Sequence, residues 1–276
     1  MITKGRTGMK RILAITLAIL TVLSVGCAKK AKDPVPDNTT ADGGTAEQTT
    51  ALAAEQTTVA VTDAPETDNG GVSAFTETFT ENGCYVTLKY PYYGDGKHDQ
   101  FDVAMRNLAM QMYTQSAVLP EADSVYEITD CDITLETEYF VSAVIRGRVF
   151  APGTTRDQIV AYTVNADTRT GKLYLSEELI GDLSELKAAF AGGKFQQTMG
   201  MTDVLSEITC DDIMQSWRED YGVFPRMYFT EKSFGILPEL PDVIGGYAGF
   251  QIPYTDVGNM ITPVAKGLCG IIVTTD

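Results

Sequence analysis

An α+β domain behind a long tether is the fold class this sequence predicts, on three observations. Short runs rich in β-formers, such as "CYVTLKYPYY", "DQIVAYTVNAD" and "GFQIPY", recur along residues 75–276. Between them lie segments with apolar residues at helical spacing. The two kinds mix without a steady strand–helix–strand rhythm, which separates α+β from a doubly wound α/β sheet.

The N-terminus comes first. Lys4, Arg6, Lys10 and Arg11 precede an uncharged run of 15 residues, Ile12 to Gly26, whose apolar core is "ILAITLAILTVL". This is the charge and length pattern of an export signal, residues 1–26. A bilayer-spanning helix needs about 20 apolar residues, so a permanent span is the poorer reading. The run closes on "LSVGC", which resembles the lipobox of bacterial lipoproteins and predicts a lipid on Cys27. Residues 27–74 form a linker rich in Thr, Ala, Asp, Glu and Pro, with "AEQTT" at 46–50 and again at 54–58 and no aromatic residue. Such a segment buries too little apolar surface to offset its ordering entropy, so a disordered tether is expected. The expected location is the outer face of the cytoplasmic membrane, held there by the lipid.

The remaining residues fit one module in two halves, 75–155 and 156–276. A strand is expected from Cys84 to Pro91. The helix that follows has Phe101, Met105, Leu108 and Met112 on one face and Asp99 as its N-cap. "CDITLETEYFVSAVIRGRVF" reads as two strands and "DQIVAYTVNAD" as a third, closed by a turn at "DTRTGK". "SEELIGDLSELKAAFAG" and "CDDIMQSWREDYG" read as helices, the first with Ser176 and Glu178 near its start. "RMYFTEKSFGIL" reads as a hairpin, and "GFQIPY" as a last strand before a short helix from Thr255.

Charge narrows the partners. The chain carries 21 basic and 37 acidic side chains, net −16. Counted from Phe75 onward there are 14 basic and 29 acidic, net −15. Nucleic acid is therefore not an expected partner. A cationic partner would be steered towards the domain, and solubility of an exported protein is the other use of such acidity. Beyond Cys27, the four cysteines Cys84, Cys131, Cys210 and Cys269 permit three disulfide pairings or four buried thiols.

Catalytic signals are sparse. The single histidine, His98, cannot build a multi-histidine zinc site and reads as an exposed loop residue. "GDGKHDQFD" lacks the spacing of a calcium loop, and there is no P-loop or dinucleotide fingerprint. Glu136 and Glu138 would share a strand face, as a glycosidase pair might, but a solvated face explains them better. No cofactor and no metal are expected.

Taken together, "YVTLKYPYYGDGKHDQFDVAMRNLAMQ", "AYTVNADTRTGKLYLSEELIGDLSEL" and "YFTEKSFGILPELPDVIGGYAGFQIPYTDVGNMI" resemble a known domain pair. That pair forms the extracytoplasmic part of the lysozyme-sensing anti-sigma-V factor. It also stands beside the catalytic module of polysaccharide deacetylases in some Gram-positive bacteria. The resemblance runs from about Tyr85 to Ile261 and implies a binding module, with lysozyme or a cell-wall glycan as ligand. Only about ten residues precede the apolar run, so no sigma-factor partner is expected. A gly-gly-ala-his stretch of the family is replaced by "APGTTRDQ". Its pro-tyr-glu-ile-ala-pro-tyr loop reads here as Pro241, Asp242, Val243, Ile244, Gly245, Gly246 and Tyr247. Of that loop Pro241 and Tyr247 are the expected binding residues, since aromatic side chains make large contacts at low entropy cost. Phe250 and Ile252 are placed with the strand. The alternatives are a carboxylate-dependent glycan hydrolase and a structural envelope scaffold.

Overall fold

The computed structural model describes residues 59–60, 71–116, 123–201 and 203–271. Most of residues 1–74, Cys27 and its predicted lipid site included, lie outside the described residues. The chain divides into Met1–Leu52, which is not described, and Ala53–Asp276. The second unit is α+β as the sequence predicts, and is built on two sheets.

The first sheet has six strands in chain order. They are β1 (Val59–Ala60), β2 (Ser73–Glu81), β3 (Cys84–Tyr92), β4 (Val125–Glu136), β5 (Phe140–Phe150) and β6 (Gln158–Asp167). Neighbours pair antiparallel except β3 and β4, which run parallel because α1 (Asp99–Thr114) carries the chain between them. Sequence reasoning missed β2. Its "SAFTETFTE" is as rich in Thr and Glu as the linker, yet Phe75, Glu77 and Phe79 alternate inward. The fold thus begins two residues before Phe75, and Val59–Ala60 of the expected linker pairs with Thr78 and Phe79. The division expected at 155/156 falls between β5 and β6, which pair along almost their full lengths, so the first sheet extends to Asp167.

β5 is buried along nearly all its length because each of its faces is covered. Val141, Ala143, Ile145 and Val149 meet the core that α1 closes with Phe101, Met105, Ala109 and Tyr113. Phe140, Ser142 and Val144 turn the other way, towards the second half. The expected cap of α1 is corrected. His98 occupies the N-cap position without a side-chain bond to the helix N–H groups, and Asp99 is the first helical residue. Asp102 organises the entry instead, its carboxylate accepting from the Tyr93 and Gly94 N–H groups at 2.8 and 3.0 Å.

Glu77 is 4 % exposed and survives burial by pairing. Arg106 of α1 reaches it bidentately at 2.9 and 2.7 Å, and the Tyr90 hydroxyl adds a bond at 3.2 Å.

The second half opens with α2 (Ser176–Leu179) and α3 (Leu183–Ala191), which the sequence reads as one helix. The break has a cause. Gly181 and Asp182 give their N–H groups to Met260 and Asn259 carbonyls, and the Asp182 side chain then caps α3. The second sheet follows, in the order β7 (Gln196–Gly200), β10 (Ala248–Pro253), β9 (Ser233–Leu237), β8 (Arg226–Phe229). α4 (Cys210–Met214) is shorter than expected, and Glu219–Tyr221 forms a separate 3-10 turn. Thr255 lies in another single turn, and the terminal helix α5 begins at Pro263 and ends at Leu268. β8 is an edge strand, but the first sheet closes its edge. Ser142 accepts the Phe229 N–H at 2.9 Å, and Asn165 donates to the Met227 carbonyl at 2.8 Å. Asn165 also accepts from Ser142 at 2.9 Å, so the three bonds form one buried joint.

Candidate recognition cleft

Between the two sheets lies a surface to which both expected binding residues contribute. Its floor is the outward face of β3, β4 and β5, where the pleat aligns Thr87 and Lys89 with Glu127, Asp130, Asp132, Arg146 and Arg148. Each arginine is shared between carboxylates. Arg146 binds Asp132 and lies 3.8 Å from Asp130. Arg148 holds Glu127 at 2.8 Å and Asp157 at 3.1 Å. Burial opposes the charge on Arg146, but the Tyr247 hydroxyl with Asp132 and Asp130 more than restores it. For Arg148, the bond to Glu127 leads in holding the proton more firmly than usual.

The wall is the 241–247 loop. Glu239 and Tyr247 bridge its ends, and Leu240 donates to the Gly246 carbonyl at 2.9 Å. Asp242 pins it to the first sheet by accepting the Ile159 N–H at 3.3 Å. Gly246 sits at φ +75, where a Cβ would lie 2.6 Å from that of Ile159, so both conformation and contact require glycine. The loop is therefore closed at its base and held against β6.

The sequence-predicted residues part company here. Pro241 is exposed at the start of the 3-10 turn Asp242–Ile244. Tyr247 is half-buried, packed against Val144, Ala161, Tyr228 and Leu237, with its hydroxyl 3.5 Å from Arg146. It braces the wall from behind more than it faces solvent. The exposed apolar tip is Val243, 69 % exposed, which sequence reasoning passed over because an isolated valine in a loop carries no signal. The floor arginines and aspartates were also missed, since their alignment depends on strand register. Phe250 and Ile252 are core residues, 1 % and 0 % exposed. The bulge between Gly249 and Phe250 lies on the β7 side. Across floor and wall, five carboxylates (Glu127, Asp130, Asp132, Asp157, Asp242) lie with three cations (Lys89, Arg146, Arg148), while Arg226 pairs with Glu239 beside the edge of β6.

Other sites considered from sequence take structural positions. His98 is not a free loop residue: its ring stacks on Tyr93 at 3.9 Å and its Nδ1 lies 2.9 Å from Asp95. Burial pushes the Asp95 carboxyl up, but the Lys97 and His98 N–H groups and the imidazole together hold it below its ordinary value. Glu136 ends β4 and accepts from the Tyr93 hydroxyl and the Val72 N–H, while Glu138 lies beyond the strand, so the two do not share a strand face. Among the described residues no group of three or more His, Cys, Asp or Glu is arranged to hold a metal ion. No described helix is long and apolar enough to cross a membrane. Cys84, Cys131, Cys210 and Cys269 are free thiols.

No family model and no curated protein matches this chain. Solved structures with a similar arrangement include a DUF3298 family member from Bacteroides fragilis, at 10 % identity and TM-score 0.42, covering 72 % of this chain and 98 % of that one. Another is a DUF3298 family protein from Pseudomonas aeruginosa PAO1, at 14 % identity and TM-score 0.38, covering 70 % and 93 %.

Proposed function

We propose that this chain is a binding module of the cell envelope, tethered by a lipid on Cys27, whose recognition face is the cleft between the β3–β5 floor and the 241–247 wall. The observation that carries this reading is the pinned 241–247 loop beside a floor of surface ion pairs, with carboxylates in excess once Asp157 and Asp242 are counted with them. Exposed ion pairs contribute little to stability, so five carboxylates and three cations across the floor and wall are better suited to steering a partner. The partner that fits is a cationic protein, and the resemblance to the lysozyme-sensing domain pair makes lysozyme the first to test. A cell-wall glycan is the second reading, favoured by the half-buried row of Thr76, Thr78 and Thr87 beside Tyr85, which is 50 % exposed. Binding rather than catalysis is proposed because the floor carboxylates are spread along the strands in ion pairs instead of converging on one point.

The test is binding kinetics of the full chain with lysozyme at two salt concentrations. Asp130→Asn should slow association at low salt and leave dissociation almost unchanged, whereas Val243→Asp should hasten dissociation by about fivefold or more. Absence of lysozyme binding at low salt removes that partner; binding unaffected by both substitutions removes the cleft.

A further inference from the structure

Beyond the cleft, the sheet edges are treated unequally. β6 is closed by Asp242 on the Ile159 N–H, by Arg226 on the Ala161 carbonyl at 2.7 Å and by Tyr174 on the Asn165 carbonyl. β8 is closed by Ser142 and Asn165. β7 pairs with β10 on one side, and among the described residues no strand lies on the other. The Gln197 side chain instead holds the turn that leaves the strand: its amide donates to the Met199 carbonyl at 3.4 Å and to the Met201 carbonyl, and accepts the Val204 N–H at 3.0 Å.

Beside the edge runs a groove of about 470 Å³, lined by Gln197, Thr198, Met199, Gly200, Asp203 and Leu205. Its apolar contribution is accessible, Leu205 being 40 % exposed and the neighbouring Met201 53 %. Methionine is a side chain that adapts to irregular partners. Charge sets the sign of the occupant: Asp203 lines the groove, and Glu207, Asp211 and Asp212 follow it in the chain, against Lys194 just before β7. Met201 packs under Gly245, so the 241–247 loop separates this groove from the cleft.

We propose that the free edge of β7 takes up an extended, lysine- or arginine-bearing segment of another protein as an added strand. The incoming backbone bonds the β7 edge. Its apolar side chains fill the groove against Met199 and Leu205, and its cations meet Asp203 and Glu207. The bulge between Gly249 and Phe250 bends β7 and limits the added strand to a short segment. This surface is independent of the cleft.

The test uses the full chain and a blocked heptapeptide of alternating lysine and valine, with backbone amide exchange as readout. Binding should slow exchange within residues 196–200 and nowhere on β2. Two copies of the peptide, N-methylated at every valine or at every lysine, leave the protein intact. One alternate set of peptide N–H groups faces the edge, so one copy should bind at least about tenfold more weakly than the parent. A peptide with glutamate for lysine should not bind. Asp203→Asn, which keeps a side chain tolerant of the left-handed backbone at φ 56, should weaken the parent peptide roughly threefold at low salt. Equal binding by both methylated copies reduces the interaction to charge and overturns the proposal. Protection on β2 instead of β7 overturns it, and so does self-association of the chain that protects 196–200 without peptide, which assigns the edge to a second copy.

Discussion

Replacing Ser142 by alanine tests whether the two sheets are joined by the buried bonds described above. Ser142 is 0 % exposed, and its hydroxyl accepts the Phe229 N–H at 2.9 Å while donating to Asn165 at 2.9 Å. Alanine leaves the Phe229 N–H without its acceptor and Asn165 Oδ1 without its donor, in a region closed to water. A buried group left unbonded costs about 1–3 kcal/mol, so two give about 2–5 kcal/mol after partial relaxation. Set against a typical stability of about 5–15 kcal/mol, that is a large loss for removing one oxygen. The assay is urea unfolding followed through Trp217, which is 3 % exposed and sits in the second half. Asn165→Leu removes the bond to the Met227 carbonyl as well, and should cost a comparable amount. Because the side chains share a bond, the double variant should lose clearly less than the two single losses added together. A Ser142→Ala loss below about 0.5 kcal/mol, or strict additivity, would refute the joint as described.

Three further outcomes are expected. Asp167 is 7 % exposed and accepts from the Arg169 and Thr170 N–H groups and the Thr170 hydroxyl. Burial pushes its carboxyl up, but those bonds prevail and hold it below the ordinary value. A depressed folded value means the stabilisation is present above the unfolded carboxylate range, about pH 4, and is lost as pH falls through the folded value. Asp167→Asn should therefore cost about 1–2 kcal/mol near neutrality, with the gap to the native chain closing on acidification; a pH-independent gap contradicts the assignment. Burial pushes the thiols of Cys131 and Cys269 up to about 12, so both should resist maleimide at pH 8 until the chain is denatured. A disulfide found by mass spectrometry would show a different pairing state. Cys27→Ala should abolish incorporation of a fatty-acid probe, and equal labelling of the variant ends the lipoprotein reading.

The fold class and most elements were legible because their signals are local. α1 announces itself by Phe101 and Met105 four apart, and β3, β6 and β10 by runs of β-formers. β2 was not legible, because threonine and glutamate serve equally in a linker and in a strand. Arg106, arriving from α1, and the Tyr90 hydroxyl make Glu77 a buried residue. The break between α2 and α3 depends on carbonyls of Asn259 and Met260, nearly eighty residues away.

The candidate site divides the same way. The loop residues Pro241 and Tyr247 stand out in the sequence as an unusual stretch, but their facing does not. Tyr247 turns inward because Val144, Ala161 and Arg146 of the first sheet receive it. The sequence by itself determined the local preferences of each segment, the acidic balance and the expected anchor at Cys27, all properties of neighbours along the chain. The tertiary structure alone decided which carboxylates share one face, which tyrosine is covered and which sheet edge has no strand beside it among the described residues. Those follow from strand register and sheet packing, where residues a hundred positions apart come within hydrogen-bond distance.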